Sequence, residues 1–220
     1  MRIVLTDGGM GQELIRRSGK EPTPMWSARV LMDEPGLVRD LHADFIRAGA
    51  RVITMNTYSA TPERLARDGM DEWFVPLQDL GYTLAAVARD VCAEDVRIAA
   101  CLPPLFASYR PDVAPGYDEC LALYRQVVEL QADRADLMLC ETLASLKEIR
   151  AAATAAKESG KPVWVGITVR DDGSGLLRGG ESLTDAHAIL DEIGVEARLL
   201  NCSKPEAISA SWSEFSAGSG

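Results

Sequence analysis

The sequence predicts an α/β fold with a parallel sheet, of the (β/α)8 barrel type, with about six of the eight β/α units present. Three observations lead there. Short apolar runs rich in β-branched residues alternate six times with helix-patterned segments. Those runs are apolar throughout, as strands covered on both faces are. Polar residues close nearly every run, at Asp7, Asn56, Glu141, Thr168, Asn201 and Cys202, and the carboxyl ends of the strands are where a β/α barrel keeps its chemistry. An open dinucleotide-binding sheet fits less well. Gly8-Gly9-Met10-Gly11 lacks the GxGxxG spacing, and no suitably placed acid follows the second strand.

The elements follow in order. Residues 2–6 read as a buried strand ending in the turn Asp7-Gly8-Gly9, and 10–17 have helical spacing. Residues 18–36 hold Pro22, Pro24 and Pro35 and read as a long irregular loop. Leu37, Leu41, Phe45 and Ala48 share one side of a helix over 37–48, closed by Gly49. The second strand is expected over 51–58, with helices at 61–67 and 72–92. A third strand over 96–102 is halted by Pro103-Pro104, and a Pro-rich loop runs from 103 to 116. Helix 117–133, strand 137–140, helix 144–159 and strand 163–169 follow. After the Gly-rich loop 171–180 come helix 181–193, strand 197–202 and a sixth helix beginning at Pro205. Residues 1–208 are read as the barrel and 209–220, rich in Ser, Gly and Ala, as a disordered or non-native tail.

Composition bounds the function. With 33 acidic against 23 basic residues the net charge is −10, which argues against nucleic acid or an anionic membrane as partner. No apolar stretch approaches the roughly 20 residues of a spanning helix, and the amino terminus has no secretory pattern. Five cysteines at 92, 101, 120, 140 and 202, with no CxxC, make no disulfide framework, so a reducing cytoplasm is expected.

Five stretches, LTDGGMGQEL (5–14), LHADFIRAGARVITMNTY (41–58), CETLASLKE (140–148), VWVGITV with GGESL (163–169 and 179–183) and LLNCSKP (199–205), together resemble the homocysteine S-methyltransferase family. Betaine–homocysteine methyltransferases and the homocysteine domain of cobalamin-dependent methionine synthase belong to it. The likeness covers residues 1–207 and specifies the family, though not the methyl donor. It implies a (β/α)8 barrel and a zinc ion held by three cysteine thiolates. The first maps to Cys202. The other two stand in a Gly-Gly-Cys-Cys motif that this chain does not contain. The chain is therefore read as a family member incomplete at its carboxyl end, with zinc absent or partial.

A complete site of that kind has a clear chemical logic. A free thiol near 8.5 is only a few per cent thiolate at pH 7. Coordination to zinc deprotonates it, and three protein sulfurs leave a fourth position for the substrate sulfur. Asp7 and Glu141, at the ends of the first and fourth strands, offer anionic acceptors to a substrate ammonium group, a role the resemblance also implies. Either also reads as an ordinary turn or capping residue. Gly8 and Gly9 would let backbone amides approach the substrate carboxylate. Asn56 and Asn201 are orienting groups, or simple loop hydrogen-bonders. Glu181 is read as a helix cap, and Trp26 and Tyr58 as a donor-pocket wall or a packed loop anchor. His42 and His187, both within helices, are read as packing residues, and Cys140, adjacent to Glu141, as facing the helices. No catalytic residue is assigned.

The leading expectation is a zinc-dependent S-methyltransferase making methionine from homocysteine and a small methyl donor. Alternatives are an incomplete barrel that binds an amino acid weakly or serves as an oligomeric fragment, and a metal-free barrel enzyme using Asp7 and Glu141 as acid and base. Six parallel strands leave two open sheet edges, so homo-oligomers are expected through them.

Overall fold

Alternation of strand and helix governs the chain. The computed structural model describes residues 3–21, 23 and 25–218. Within these lie α1 (Met10–Ser18), α2 (Ser27–Asp33), α3 (Pro35–Arg47), β1 (Val52–Thr54), α4 (Pro62–Arg67), α5 (Phe74–Cys92), β2 (Arg97–Leu102), α6 (Tyr117–Gln131), β3 (Leu137–Leu143), α7 (Leu146–Glu158), β4 (Val163–Ile167), α8 (Leu183–Ile193), β5 (Ala197–Leu200) and α9 (Pro205–Ala217). The chain divides into two compact units, Met1–Cys101 with Leu130–Leu137, and Leu102–Glu129 with Met138–Gly220.

In the first unit β1 and β2 pair in parallel, Ile53 opposite Ile98. Buried Leu14, Leu31, Val38, Leu41, Leu65 and Leu77 fill one apolar cluster, and Ile46, Ile53, Ala85, Ala88 and Ile98 another. Gln131, wholly buried, satisfies its amide inside this unit. Its Oε1 accepts from Cys101 N at 2.7 Å, and its Nε2 donates to Gln78 Oε1 at 2.7 Å.

In the second unit β3, β4 and β5 run parallel and in chain order, Cys140 opposite Val165 and Gly166 opposite Leu199. The Ala-rich face of α7 is buried. A capping box starts that helix: Ser145 Oγ accepts from Glu148 N, and Glu148 returns a carboxylate oxygen to Ala144 N at 3.2 Å. Gly194 closes α8 at φ 73°, its amide bonded to Leu190 O.

Four expectations change. The first strand is reduced to one parallel bridge, Thr6 to Val52. Ile3, Val4 and Leu5 are 83%, 42% and 52% exposed, although Leu5 O accepts from Arg51 N at 2.8 Å; Arg2 lies outside the described residues. The second strand shrinks from 51–58 to Val52–Thr54, as Asn56 and Thr57 turn to side-chain bonding. The proline-rich stretch contains helix α2, whose Ala28, Val30 and Leu31 bury one side; Pro22 and Pro24 fall outside the described residues. The tail is helical through Ala217, with Ala207, Ser211 and Phe215, four residues apart, on its buried side.

His42, on α3, is fully buried and neither ring nitrogen has a hydrogen-bond partner. Burial pulls it down to about 4, from an ordinary value near 6.5. Between those values the unfolded chain binds a proton that the folded chain refuses, so stability falls as pH falls through that window. Urea unfolding at pH 7 and pH 5 should show on the order of 2 kcal/mol of loss from this residue alone. His42→Leu should remove that part of the pH dependence. Equal slopes for the two proteins would show that His42 is not buried neutral.

Candidate functional site around Cys202

Strand β5 ends at Leu200, and the chain then turns through Asn201-Cys202-Ser203 before Pro205 starts α9. Cys202 is the exposed cysteine of the five; Cys101, Cys120 and Cys140 are buried and Cys92 is half-buried. Its backbone is left-handed, φ 51°. Thr142, in β3, is also left-handed at φ 62°, and lies where the β3–β4 register shifts between Cys140 and Leu143. A β-branched residue in that region is a true outlier. Tyr109, in the loop after β2, is a third, at φ 64°.

These three strained residues meet at one sulfur. Thr142 Oγ1 donates to Cys202 Sγ at 3.3 Å. The Tyr109 hydroxyl is hydrogen-bonded to the same side chain. Partial burial first, then the Cys202 charge and that hydrogen bond, push the phenol up to about 12, so it remains a donor at neutral pH. Asn201 braces Thr142 from two sides. Its Oδ1 accepts from Thr142 N at 3.1 Å, and its Nδ2 donates to Thr142 Oγ1 at 3.1 Å. Thr142's single hydroxyl proton is thereby directed to the sulfur. Asn201 reaches Thr142 past Gly166 of β4, where a Cβ would stand 3.1 Å from Asn201 Oδ1.

The loop's backbone is held as firmly. Thr168 Oγ1 donates to Cys202 O at 3.1 Å, and Val169 N donates to Ser203 Oγ at 2.9 Å. Arg178, from the Gly-rich loop, donates to Thr168 Oγ1 and Cys202 O, and its guanidinium lies 4.6 Å from the Tyr109 ring centre. Glu181 caps a helix other than its own. Its Oε1 accepts from Leu146 N, at the start of α7, at 3.2 Å, which ties the Gly-rich loop down.

Glu141 is half-buried on β3, alternating with buried Cys140. Burial, with the Glu141 charge second, pushes the Cys140 thiol up. The first unit holds the other expected residues. Asp7 accepts from Thr54 N at 2.6 Å and from Thr54 Oγ1 at 3.1 Å, locking its turn to β1. Gly8 and Gly9 precede α1, whose first turn has no side-chain cap. With Leu41, Asp44 and Phe45 they line a cavity of about 760 Å³. A Cβ on Gly8 would stand 3.0 Å from the Phe45 ring. Asn56 is buried and donates to Ser27 O at 3.3 Å. Trp26 stands edge-on to Tyr58 at 6.0 Å and covers Gly11, as a packed loop anchor does.

Among the described residues no group of three or more His, Cys, Asp or Glu side chains is placed to hold a metal ion. Zinc takes four ligands, usually with at least three from protein. Cys202 alone does not make such a site.

Residues 4–219 match the homocysteine S-methyltransferase family. The chain belongs to that family. Homocysteine S-methyltransferase of Escherichia coli (strain K12) is 34% identical over 203 residues, covering 86% of this chain and 65% of the relative. Homocysteine S-methyltransferase YbgG of Bacillus subtilis (strain 168) is 31% identical over 220 residues, covering 91% and 69%. The crystal structure of the E. coli homocysteine methyltransferase MmuM in its metallated form aligns with a TM-score of 0.85 at 31% identity, over 98% of this chain and 80% of that one. The chain thus spans about two thirds of the length of the curated homocysteine S-methyltransferases it matches. Its fold is α/β, of the β/α-barrel type, as the strand–helix alternation indicates.

Tyr109, Thr142 and Arg178 escaped sequence reasoning. Their roles come from a register shift and two loop conformations, and the one visible signal was polar residues crowded at strand ends. Asn201→Ala should leave the Thr142 amide unpaired and cost about 1–3 kcal/mol in urea unfolding. A loss below about 0.5 kcal/mol would mean that Asn201 does not brace Thr142.

Proposed function

We propose that this chain carries the homocysteine-methylating site of its family, with Cys202 as its metal-ligating sulfur, and that the reaction makes methionine from homocysteine and a small methyl donor. The observation that carries this reading is the seat of Cys202: an exposed sulfur at a strand end, on left-handed backbone, receiving hydroxyl hydrogen bonds from Thr142 and Tyr109. Strain of that kind persists where surrounding structure over-determines it, typically at functional sites.

In the reaction the homocysteine sulfur gives up its proton and attacks the methyl carbon. A new sulfur–carbon bond forms as the donor–methyl bond breaks, and the donor leaves with the electron pair. S-Methylmethionine, S-adenosylmethionine and betaine are donors of this class. Asp7 and Glu141 are read as acceptors for the substrate ammonium, and the amides of Gly8 and Gly9 as a place for its carboxylate. Asn56 and Asn201 act behind them, by fixing the loops. Zinc is the metal the family reading implies. The donors present do not complete a zinc site, so no step is routed through it, and zinc content is expected well below one ion per chain.

That single-sulfur donor set also favours a second reading, in which the chain binds an amino acid without turnover. Association through Ile3–Leu5 and the outer edge of β5 belongs with it, since both leave strand surface open. A reducing compartment, the cytoplasm, suits five free thiols.

Methionine formation from homocysteine should be measured with each donor, for the chain and for Cys202→Ser, beside zinc content by mass spectrometry. Cys202→Ser should lower the rate by at least about tenfold. Equal rates would remove Cys202 from the chemistry. Homocysteine binding without any methionine would establish the second reading, and one zinc per chain would overturn the expectation for the metal.

A further inference from the structure

The Gly-rich loop between β4 and α8 has no role in the reading above, yet it sends one side chain into the seat of Cys202. Arg178 is mostly covered, its side chain 18% exposed. Its guanidinium makes four separate attachments. Nε donates to Thr168 Oγ1 at 2.9 Å, at the end of β4. Nη2 donates to the Asp171 carboxylate at 3.2 Å and to the Cys202 carbonyl at 3.3 Å. The planar group also lies over the Tyr109 ring, 4.6 Å from its centre, in cation–π contact.

Each of those partners is tied in turn to the strained turn. Thr168 Oγ1 donates to the Cys202 carbonyl and lies 3.1 Å from Ser203 Oγ. Asp171 accepts from Lys204 N at 2.9 Å, just past the cysteine. Tyr109 delivers its hydroxyl to the Cys202 side chain. One side chain therefore reaches both the backbone that points the sulfur and the aromatic ring that bonds it. A lysine cannot do this: its ammonium is a compact charge without the flat, forked donor set that bonds at its edge and stacks on its face.

We propose that Arg178 is a positioning residue that holds Cys202 in its left-handed conformation and presents the Tyr109 hydroxyl to its sulfur. Arg178 acts through the turn and the ring, and does not touch the sulfur. The proposal rests on the reading of Cys202 as the metal-ligating sulfur of the site, but its test does not need turnover. A left-handed non-glycine residue is strained unless its surroundings over-determine it, so the turn should relax when its clamp is removed.

The test compares the full chain with Arg178→Ala, Arg178→Lys and Tyr109→Phe. It reads amide exchange at Val169 and Lys204, and the ¹³Cα and ¹³Cβ shifts of Cys202, which distinguish left-handed from extended backbone. In Arg178→Ala, exchange at both amides should rise by about tenfold or more and Cys202 should lose its left-handed signature, while buried Val165 of β4 stays protected. Arg178→Lys should recover part of the protection at Lys204 and none of the Cys202 signature. Tyr109→Phe keeps the ring beneath the guanidinium and should keep the turn intact. Exchange within about twofold of the parent at Val169 and Lys204 in Arg178→Ala, with the Cys202 shifts unchanged, overturns the proposal. So does a fully restored signature in Arg178→Lys, which also serves should the alanine variant not fold. Absence of methyl transfer from the parent chain, with these shifts as expected, counts against the functional reading and leaves the clamp standing.

Discussion

Everything at this site depends on holding Thr142 of β3 and Cys202, two residues past the end of β5, in left-handed backbone on either side of β4. Each such residue costs about 1–3 kcal/mol unless its surroundings leave no alternative. Here the surroundings are the sheet itself. β3 slips its register on β4 after Cys140, which throws Thr142 out of the ladder at φ 62°. The freed amide is captured by Asn201, which reaches across β4 from the end of β5. That reach is possible because the residue between them is Gly166; a side chain there would meet the Asn201 amide oxygen at 3.1 Å. A glycine in a strand interior weakens the strand. In β4 it opens a path by which β3 and the end of β5 bond through side chains.

Once Thr142 is fixed, the sulfur's place follows. Asn201 occupies the acceptor side of the Thr142 hydroxyl, so the hydroxyl's proton goes to Cys202. Tyr109 comes from the far side on a loop anchored at both ends: Tyr124 donates to Pro103 O at 3.0 Å, and Lys147 to Ala114 O. The Gly-rich loop is pinned by a short antiparallel bridge, Val169 to Leu177, and by Glu181 on the first turn of α7. Two loops are thus tied at several points to the elements around them. That is the usual way a scaffold positions a loop-borne site.

The sequence carried the period of the fold far better than its ends. Helices with clear 3.6-residue spacing, such as 37–48, and apolar runs bounded by Pro or Gly, such as 96–102, are legible because burial alone decides them. Residues 2–6 have the composition of a strand, but a strand is a pairing, and composition does not report whether a neighbour exists. α2, and α9 beyond residue 208, were hidden for the opposite reason. Their Pro, Ser and Gly neighbours signal loop, while three well-spaced buried residues are enough to hold a short helix. Cys202 and Asn201 stand out in the sequence for their places at a strand end, whereas Glu141, expected at the end of a strand 137–140, lies within β3, which runs on to Leu143. The bracing role of Asn201 was not legible, because it depends on a register slip between two other strands. Nor was Arg178, which lies 24 residues from the carbonyl it holds.

What the seat does to the sulfur can be argued from lone pairs. A cysteine side chain accepts weakly and without strict direction, so a single hydroxyl would leave it free to turn. Two hydroxyls arriving from different loops fix which side of the sulfur faces protein. The remaining side faces solvent, consistent with the exposure of Cys202. A group approaching from that side need not displace either hydrogen bond. The seat is therefore complete in itself, whatever further donors share the site. It orients one sulfur outward with its backbone strained, and preorganisation of this kind is what removes ordering cost from a later binding step.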